Sequence, residues 1–330
     1  MTGRLTRRPG GPARLRALLD SGQTIVAPGA FGPLAARLVE EAGFAAVYMT
    51  GFGAAAALLG RPDVGLLTMT EMADNAGRIA ACVDIPVIAD ADTGYGNPLN
   101  VIRTVGAYEA AGVAGIHIED QVAPKRCGHM EGKLVIAAEE MAQKVRAAVE
   151  ARADPNFMII ARTDARAVEG LDSALERGRR YRDAGADALF IEALVSEAEI
   201  EAAARAFPTV PLLFNWAEGG KTPPVGLDRL TELGYRMVIF PIATLLAATA
   251  AVRRVLGEIT AAGTPAAVLD ELPTFAEFTD FIGLPEVREI ERRYVATGSA
   301  PGLETEGQSG SYIRAAQCDC GTGRGDDRRG

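Results

Sequence analysis

Pro86-Val-Ile-Ala-Asp90 is a short apolar run that ends in a carboxylate, and Gly115-Ile-His-Ile-Glu119 repeats this pattern shortly after the pair Ala111-Gly112. Nearly unbroken apolar runs of this length are typical of strands that are buried on both faces. An Ala-Gly pair before such a run is the C-cap expected where a helix ends and the next strand begins. The stretch therefore predicts one βα unit of a parallel sheet.

The same unit recurs along the chain, with helical periodicity between the runs, as in Glu139–Arg152 and Leu171–Ala184. Eight βα units in one chain predict an α/β fold of the closed (β/α)8 TIM barrel type rather than an open sheet. The eight predicted strands are Thr24–Pro28, Ala45–Thr50, Pro86–Asp90, Gly115–Glu119, Phe157–Arg162, Ala188–Glu192, Pro211–Asn215 and Arg236–Pro241.

The sequence also predicts how the chain is divided. We expect an N-terminal arm or helix over residues 1–20, the barrel over 21–262 and C-terminal helices over 263–298. Residues 299–330 are rich in Gly, Ser, Asp and Arg, so we expect a disordered tail there.

Composition limits the classes of function. The 330 residues are 48% hydrophobic, which allows one large core. The net charge is -9 with acidic and basic residues interspersed, which disfavours a nucleic-acid or anionic-membrane partner. Four cysteines do not form a disulfide framework in a chain of this length. No signal peptide and no run of roughly 18 apolar residues is found. We therefore expect a soluble cytoplasmic protein with no membrane partner.

Polar side chains stand at or just after the ends of most predicted strands. Because the active sites of barrels are built at the carboxyl ends of their strands, we place the active site there. These residues are Tyr48, Thr50, Asp90, Asp92, Glu119, Arg162, Glu192 and Asn215.

Three carboxylates favour a divalent-cation site. Asp90 and Asp92 are two residues apart, so their side chains share a face if the strand continues that far. An isolated pair of this kind is better interpreted as a turn or a helix N-cap. With Glu119 at the end of the next strand, a site for Mg²⁺, or Mn²⁺ in its place, is favoured. Asp63 is a fourth candidate, although alone it is typical of a loop turn.

Cys127 lies in the loop Lys125-Arg-Cys-Gly-His129, beside cations and a glycine. Free cysteines are more often buried and inert, which is our interpretation of Cys82 in its apolar stretch. A thiol beside cations ionises more easily, so Cys127 is a candidate general acid or base. His129 is a candidate donor to a substrate carboxylate.

Further groups suit the binding of a carboxylate. Arg162 offers bidentate recognition, and the alternative is a salt bridge to Glu192 or Glu119; both can hold together. The backbone of Thr50–Gly53 could line an anion nest, although a glycine after a strand is commonly part of a turn. The loop Asn215–Thr222 presents an amide and a hydroxyl at its two ends.

Lys125-Arg-Cys-Gly-His129 resembles the catalytic loop of the isocitrate lyase and phosphoenolpyruvate mutase superfamily. Asp90–Gly96, Glu119–Gln121 and Ile160–Ala165 are similar to its other motifs, in the same order. The resemblance implies an α/β barrel that binds a 2-oxo or 2-hydroxy carboxylate with Mg²⁺. It also implies a homotetramer, a dimer of dimers whose C-terminal helices are swapped between subunits.

The resemblance implies a role for each matching residue. Asp90 would bind the metal most directly, and Asp92, Glu119 and Asp63 would act largely through water. Cys127 would be the general acid or base. The other catalytic or substrate-binding residues implied are Tyr48, Thr50, Gly51, Phe52, Lys125, Arg126, Gly128, His129, Arg162, Glu192, Asn215 and Thr222.

Within this superfamily, the cysteine loop argues against a mutase that acts on phosphoenolpyruvate itself. The segment Asn215–Pro223 is similar to the branch of 2,3-dimethylmalate lyase, petal death protein and carboxyphosphonoenolpyruvate mutase. Methylisocitrate lyases typically have a different segment there. Trp216, in place of a smaller aliphatic residue, and Gly32, in place of an aspartate, depart from the pattern of the branch.

We therefore expect a Mg²⁺-dependent carbon–carbon lyase. Its substrate would be a 2-hydroxy di- or tricarboxylate of the 2-alkylmalate or 2-methylisocitrate type, cleaved to pyruvate or glyoxylate and a carboxylate. The alternatives within the superfamily are carboxyphosphonoenolpyruvate phosphonomutase and oxaloacetate hydrolase or decarboxylase. The alternative from another class is a non-catalytic barrel that binds a carboxylate, but a pure binder needs no acid or base thiol such as Cys127.

Overall fold

The computed structural model describes residues 10–128 and 130–294. Within these residues eight parallel strands form a closed barrel, in which the last strand pairs with the first. The strands match the predicted runs to within two residues at each end, so the predicted TIM barrel is confirmed. They are β1 (Ile25–Ala30), β2 (Val47–Met49), β3 (Val87–Asp90), β4 (Gly115–Glu119), β5 (Met158–Thr163), β6 (Ala188–Ile191), β7 (Leu212–Asn215) and β8 (Tyr235–Phe240).

Helices precede, connect and follow these strands. The predicted C-cap at Ala111-Gly112 is confirmed, since Gly112 ends its helix with a left-handed φ of 82°. The helices are α1 (Gly11–Asp20), α2 (Pro33–Glu41), α3 (Gly51–Leu59), α4 (Met69–Cys82), α5 (Pro98–Ala111), α6 (Ala138–Ala151), α7 (Arg166–Glu169), α8 (Leu171–Asp183), α9 (Glu197–Ala206), α10 (Leu227–Glu232), α11 (Ala243–Ala262), a 3-10 helix (Ala266–Glu271), α12 (Phe275–Phe281) and α13 (Leu284–Tyr294).

The apolar residues form two cores. A large core lies between the strands and the surrounding helices. A smaller core fills the barrel interior and includes Leu15 and Leu19 of α1 together with Ile25 and Met158, the first residues of β1 and β5. Helix α1 therefore covers the amino ends of the strands, and the polar groups of the barrel gather at the opposite, carboxyl end.

The chain divides into two units, Met1–Thr279 and Asp280–Gly330. The first contains the barrel and the second contains α13. The predicted boundaries at residues 20, 262 and 298 stay a prediction, and the tail predicted to be disordered lies outside the described residues. Within the part of the chain that the structure describes, every helix is too short or too polar to span a bilayer.

The barrel is closed tightly at Gly29 in β1. A Cβ at this position would collide with the backbone carbonyl of Pro241, just after β8. Backbone cannot move aside as a flexible side chain can, so we expect Gly29→Ala to destabilise the protein by about 1–3 kcal/mol. Circular dichroism should show this as a melting temperature several degrees below that of the wild type.

Gly106→Ala is the matched control, because Gly106 lies on the exposed face of α5 with no atom within 4 Å of an added Cβ. We expect it to stabilise the protein by about 0.5–1 kcal/mol, since alanine favours the helix. A Gly29→Ala protein that melts at or above the wild-type temperature would contradict this account of barrel closure.

Candidate active site

The four predicted metal ligands are buried at the carboxyl end of the barrel. Asp90 is the last residue of β3 and Glu119 the last residue of β4. Asp63 and Asp92 come from the loops that follow α3 and β3. Two adjacent strands and two loops therefore bring four carboxylates to one end of the barrel.

The side chain of Asp92 is not placed in this cluster by the continuation of β3 that the sequence predicted. Strand β3 ends at Asp90, and Asp92 has a left-handed φ of 48°, so the alternation of a strand does not place its side chain. Its backbone N–H instead donates to Asp90 Oδ1 over 2.9 Å. The buried ammonium of Lys125 lies 2.7 Å from Asp63 Oδ2 and 2.8 Å from Asp92 Oδ1, and so draws these two carboxylates together.

The chemistry of this cluster fits a hard cation, which prefers carboxylate oxygens. Glu119 Oε1 is buried and has no hydrogen-bond partner among the described residues. Burial raises the pKa of Glu119 well above its ordinary value, and burial with the nearby Asp90 and Asp63 raises the pKa of Asp92 to about 7. Within the described residues no three His, Cys, Asp or Glu side chains already stand at metal-ligand spacing. In the part of the chain that the structure describes, two cations contact the cluster: Lys125 at Asp63 and Asp92, and Arg162 at Glu119.

Tyr48 and His117 form a second buried pair beside these carboxylates. Tyr48 Oη lies 2.8 Å from His117 Nε2, and the same nitrogen is 3.6 Å from Asp90 Oδ1. Burial lowers the pKa of His117 to about 4 although Asp90 opposes this, so the imidazole is neutral at physiological pH. His117 is absent from the site residues predicted from the sequence, because a histidine with isoleucines on both sides is typical of a core residue.

Arg162 lies among three carboxylates. Its Nε is 3.1 Å from Glu119 Oε2 and 2.9 Å from Asp164 Oδ2, and its Nη2 is 3.2 Å from Glu192 Oε2. The internal salt bridges considered as an alternative for Arg162 are therefore present, and the residue also lines the cavity described below. The three carboxylates therefore fix the direction of the guanidinium.

Asp164 and Lys133 belong to the same region but were not selected from the sequence. Asp164 is fully buried, and Lys133 Nζ lies 2.9 Å from its Oδ1. Burial alone would raise the pKa of Asp164, but the charges of Arg162 and Lys133 lower it below the ordinary value. The signal for Asp164 in the sequence is its position in the motif Ile160–Ala165, two residues after Arg162.

The loop that carries Cys127 approaches the barrel closely. The Cys127 backbone N–H donates to the carbonyl oxygen of Asp63 over 3.2 Å, and the side chain is half-buried. A Cβ at Gly128 would lie 2.5 Å from Arg162 Nη2 and 2.7 Å from Glu192 Cγ, so a larger residue would push the loop away. His129 lies outside the described residues.

Helix α3 presents its amino end to the site. Thr50 is the N-cap, and its hydroxyl accepts from the Gly53 backbone N–H over 3.2 Å. Gly51 and Phe52 open the helix, so their N–H groups have no partner within it and suit an anion. A Cβ at Gly51 would collide with Asp90 Oδ2, which shows how near the helix end lies to this carboxylate.

A cavity of about 230 Å³ lies at this end of the barrel and is lined by Cys127, Asp90, Arg162 and other predicted site residues. Five described residues of the predicted site do not line this cavity, namely Gly51, Asp92, Glu119, Arg126 and Thr222. Glu218, which was not predicted, is in the wall, and its Oε2 accepts from the Ile242 backbone N–H over 3.1 Å. The predicted site residues in the wall are Tyr48, Thr50, Phe52, Asp63, Asp90, Lys125, Cys127, Gly128, Arg162, Glu192 and Asn215.

Residues 15–260 match the family model described as phosphoenolpyruvate phosphomutase. The 2,3-dimethylmalate lyase of Eubacterium barkeri is 49% identical over 87% of this chain and 98% of its own length. The probable 2-methylisocitrate lyase 1 of Corynebacterium glutamicum is 51% identical over 74% of this chain and 80% of its own length.

A solved structure of oxaloacetate acetylhydrolase, in complex with the inhibitor 3,3-difluorooxalacetate, superposes with a TM-score of 0.82. It is 39% identical and covers 86% of this chain and 96% of its own. The fold, the motifs and these matches agree with the resemblance found in the sequence. The chain belongs to the phosphoenolpyruvate phosphomutase family, within the phosphoenolpyruvate mutase/isocitrate lyase superfamily.

Proposed function

We propose that this protein is a Mg²⁺-dependent carbon–carbon lyase that cleaves a 2-hydroxy carboxylate of the 2-alkylmalate or 2-methylisocitrate type. The products would be a 2-oxo acid, pyruvate or glyoxylate, and a second carboxylate. The observation that carries the proposal is the cavity in which the Cys127 thiol shares a wall with Asp90 and Arg162. Relatives that are named lyases support the same reaction class.

Asp90, Asp92, Glu119 and Asp63 would hold the metal, directly or through water. Bound there, Mg²⁺ would supply positive charge to the 2-hydroxy carboxylate and to the 2-oxo acid formed from it. The amino end of α3, with the Thr50 hydroxyl, would bind a substrate carboxylate. The small cavity suits a short-chain acid.

In the cleavage, the 2-hydroxyl would give its proton to an ionised carboxylate of the site and become the carbonyl of the 2-oxo acid. The electron pair of the broken carbon–carbon bond would stay on the carbon next to the other carboxylate. Such a carbanion needs nearby positive charge and a proton. Arg162 and Lys125 would stabilise the developing negative charge, and the Cys127 thiol would donate its proton to the carbon. Burial raises the pKa of Tyr48 well above its ordinary value, so the phenol keeps its proton and can orient the substrate hydroxyl.

We also propose a cytoplasmic homotetramer in which C-terminal helices are exchanged between subunits. Support comes from the resemblance and from apolar side chains that are exposed on α11 and at the start of α12. In α11, Leu246, Val252 and Leu256 are exposed, and Phe275 at the start of α12 is 85% exposed. A partner subunit would remove this surface from water.

Oxaloacetate hydrolysis is a second candidate, favoured by the structural match to oxaloacetate acetylhydrolase. Incubation with Mg²⁺ and, separately, 2,3-dimethylmalate, 2-methylisocitrate and oxaloacetate, followed by NMR of the products, distinguishes the two. Consumption of oxaloacetate alone would overturn the lyase proposal. Tight Mg²⁺-dependent binding of these acids with no turnover would favour a binding protein.

The role of the Cys127 thiol as proton donor is tested by the substitution Cys127→Ser. A serine hydroxyl at the same position is a much weaker acid than a thiol, so protonation of the carbanion should fail. We expect turnover to fall by about 10²–10⁴. Calorimetry should show that uptake of Mg²⁺ and pyruvate is kept.

Cys82→Ser is the matched control. The Cys82 thiol donates to the carbonyl oxygens of Pro33 and Ile79, and burial raises its pKa to about 11. It lies outside the cavity wall, so turnover should stay within about twofold of the wild type, as for a substitution away from the site. Near-normal turnover in Cys127→Ser would refute the role of that thiol.

The metal site is tested by Asp90→Asn, which removes one negative charge with little change of shape. We expect calorimetry with pyruvate to show Mg²⁺ affinity at least about 10-fold weaker than in the wild type. Asp74→Asn is the control, since Asp74 is an exposed residue of α4 that pairs with the neighbouring Arg78. If the wild type itself takes up neither Mg²⁺ nor Mn²⁺, the proposed reaction is wrong.

A further inference from the structure

A buried ion pair lies beside the proposed reacting groups without lining their cavity. Lys133 is 8% exposed and Asp164 is not exposed at all, and the two charges are 2.9 Å apart. Lys133 belongs to the segment between β4 and α6, which also carries Cys127, whereas Asp164 directly follows β5. The pair therefore connects this segment, residues 120–137 and here called the cysteine segment, to the barrel.

Each partner makes a second contact that reaches the proposed site. Lys133 Nζ also donates to the backbone carbonyl of Gly128, the residue after Cys127. Asp164 accepts from Arg162 through both oxygens, at 2.9 Å from Nε and 3.2 Å from Nη2. The Asp164 carboxylate therefore fixes the Arg162 guanidinium directly. Through the Lys133 ammonium it also fixes the backbone of Gly128, next to Cys127.

Asp164 is itself held in place by Asp120. The Asp164 backbone N–H donates to Asp120 Oδ1 over 2.9 Å, and the neighbouring Thr163 hydroxyl donates to Oδ2 over 2.7 Å. Tyr181 and Arg177 of α8 also donate to Asp120 Oδ2. These hydrogen bonds connect α8, through the residues that follow β4 and β5, to the cysteine segment.

Stability alone does not account for this pair. Removing two charges from water costs free energy that their attraction offsets only in part, and packed apolar side chains at such positions are often as stable. The pair instead fixes the orientation of its neighbours, because two charges with several hydrogen bonds allow one arrangement of the groups around them.

We infer that Lys133 and Asp164 are positioning residues that hold the Cys127 thiol and the Arg162 guanidinium at a fixed position relative to each other. Their effect on turnover rests on the proposed function. Their effect on the placement of the cysteine segment does not, and it is tested without any substrate.

The test is the rate at which iodoacetamide alkylates Cys127 in the metal-free protein, read by mass spectrometry of the peptide that contains it. In the wild type we expect alkylation at least about 10-fold slower than in the urea-unfolded chain. Lys133→Met and Asp164→Asn should each raise the rate in the folded protein about 10-fold, the loss expected for one charge-assisted hydrogen bond. Lys133→Arg keeps the charge and the donors and should stay within about threefold of the wild type.

Lys144→Met is the matched control. Lys144 is also buried, but its ammonium donates to the backbone carbonyl of Thr93 and not to the cysteine segment. Its replacement should leave the Cys127 rate within about twofold of the wild type. Circular dichroism establishes that each variant is folded, and because either partner of the pair can be replaced, one variant that does not fold leaves the other to decide.

Three results would overturn the inference. They are wild-type alkylation as fast as in urea, unchanged rates in the folded pair variants, and an equal increase in Lys144→Met. Where turnover is measurable, Lys133→Met should lower kcat at least about 10-fold while KM changes less, since the pair does not line the cavity. A wild type without lyase activity would refute the proposed function, but the alkylation rates would still decide the role of the pair.

Discussion

The Arg162 guanidinium lies buried among Glu119, Asp164 and Glu192, and the arrangement of the proposed site depends on these contacts. A buried charge is stable only when its partners surround it with good geometry. The closed barrel supplies that geometry, because β4, β5 and β6 are neighbours that bring their carboxyl ends to one place. Removing any one of the three carboxylates would remove a contact that fixes the direction of the guanidinium.

The same contacts explain why the cysteine segment can lie so close to the barrel. Gly128 has no side chain to collide with Arg162 or Glu192, and its carbonyl accepts from Lys133, whose charge is balanced by Asp164. Lys125, from the same segment, contacts Asp63 and Asp92. Two lysines thus hold one short segment to carboxylates at two separate points, with Cys127 between them in sequence.

Much of this fold could be predicted from the sequence because burial leaves a simple pattern. The apolar runs gave the strands to within two residues, and polar residues at their ends gave Asp90, Glu119 and Arg162. What the pattern could not give was tertiary contact. His117 looks like a core residue until Tyr48 is placed beside it, and the φ of Asp92 depends on the turn after β3.

Lys133 and Asp164 were missed for a related reason. Lysine in a polar loop is ordinarily a solvated residue, and only the folded structure shows it buried against a carboxylate 31 positions further along the chain. Local sequence carries no sign of such a pair, because both its burial and its partner are set by the packing of the segment against β5. Predictions from periodicity are therefore strong for strand ends and weak for the loops that cover them.

The balance of charge at the end of the barrel gives a physical reason for the site to take up a cation. The buried carboxylates outnumber the buried cations there: Asp63, Asp90, Asp92, Glu119, Asp164 and Glu192 stand against Lys125, Lys133 and Arg162. Burial and, after it, repulsion from neighbouring carboxylates raise the free energy of the ionised cluster, and the same two causes raise the pKa values of Asp92 and Glu119. Protons could relieve that excess, but they would leave acids that no longer bind metal or attract lysine. A divalent ion would relieve it while every carboxylate stays ionised. The negative excess of the cluster would therefore drive the binding of the metal on which the proposed reaction depends.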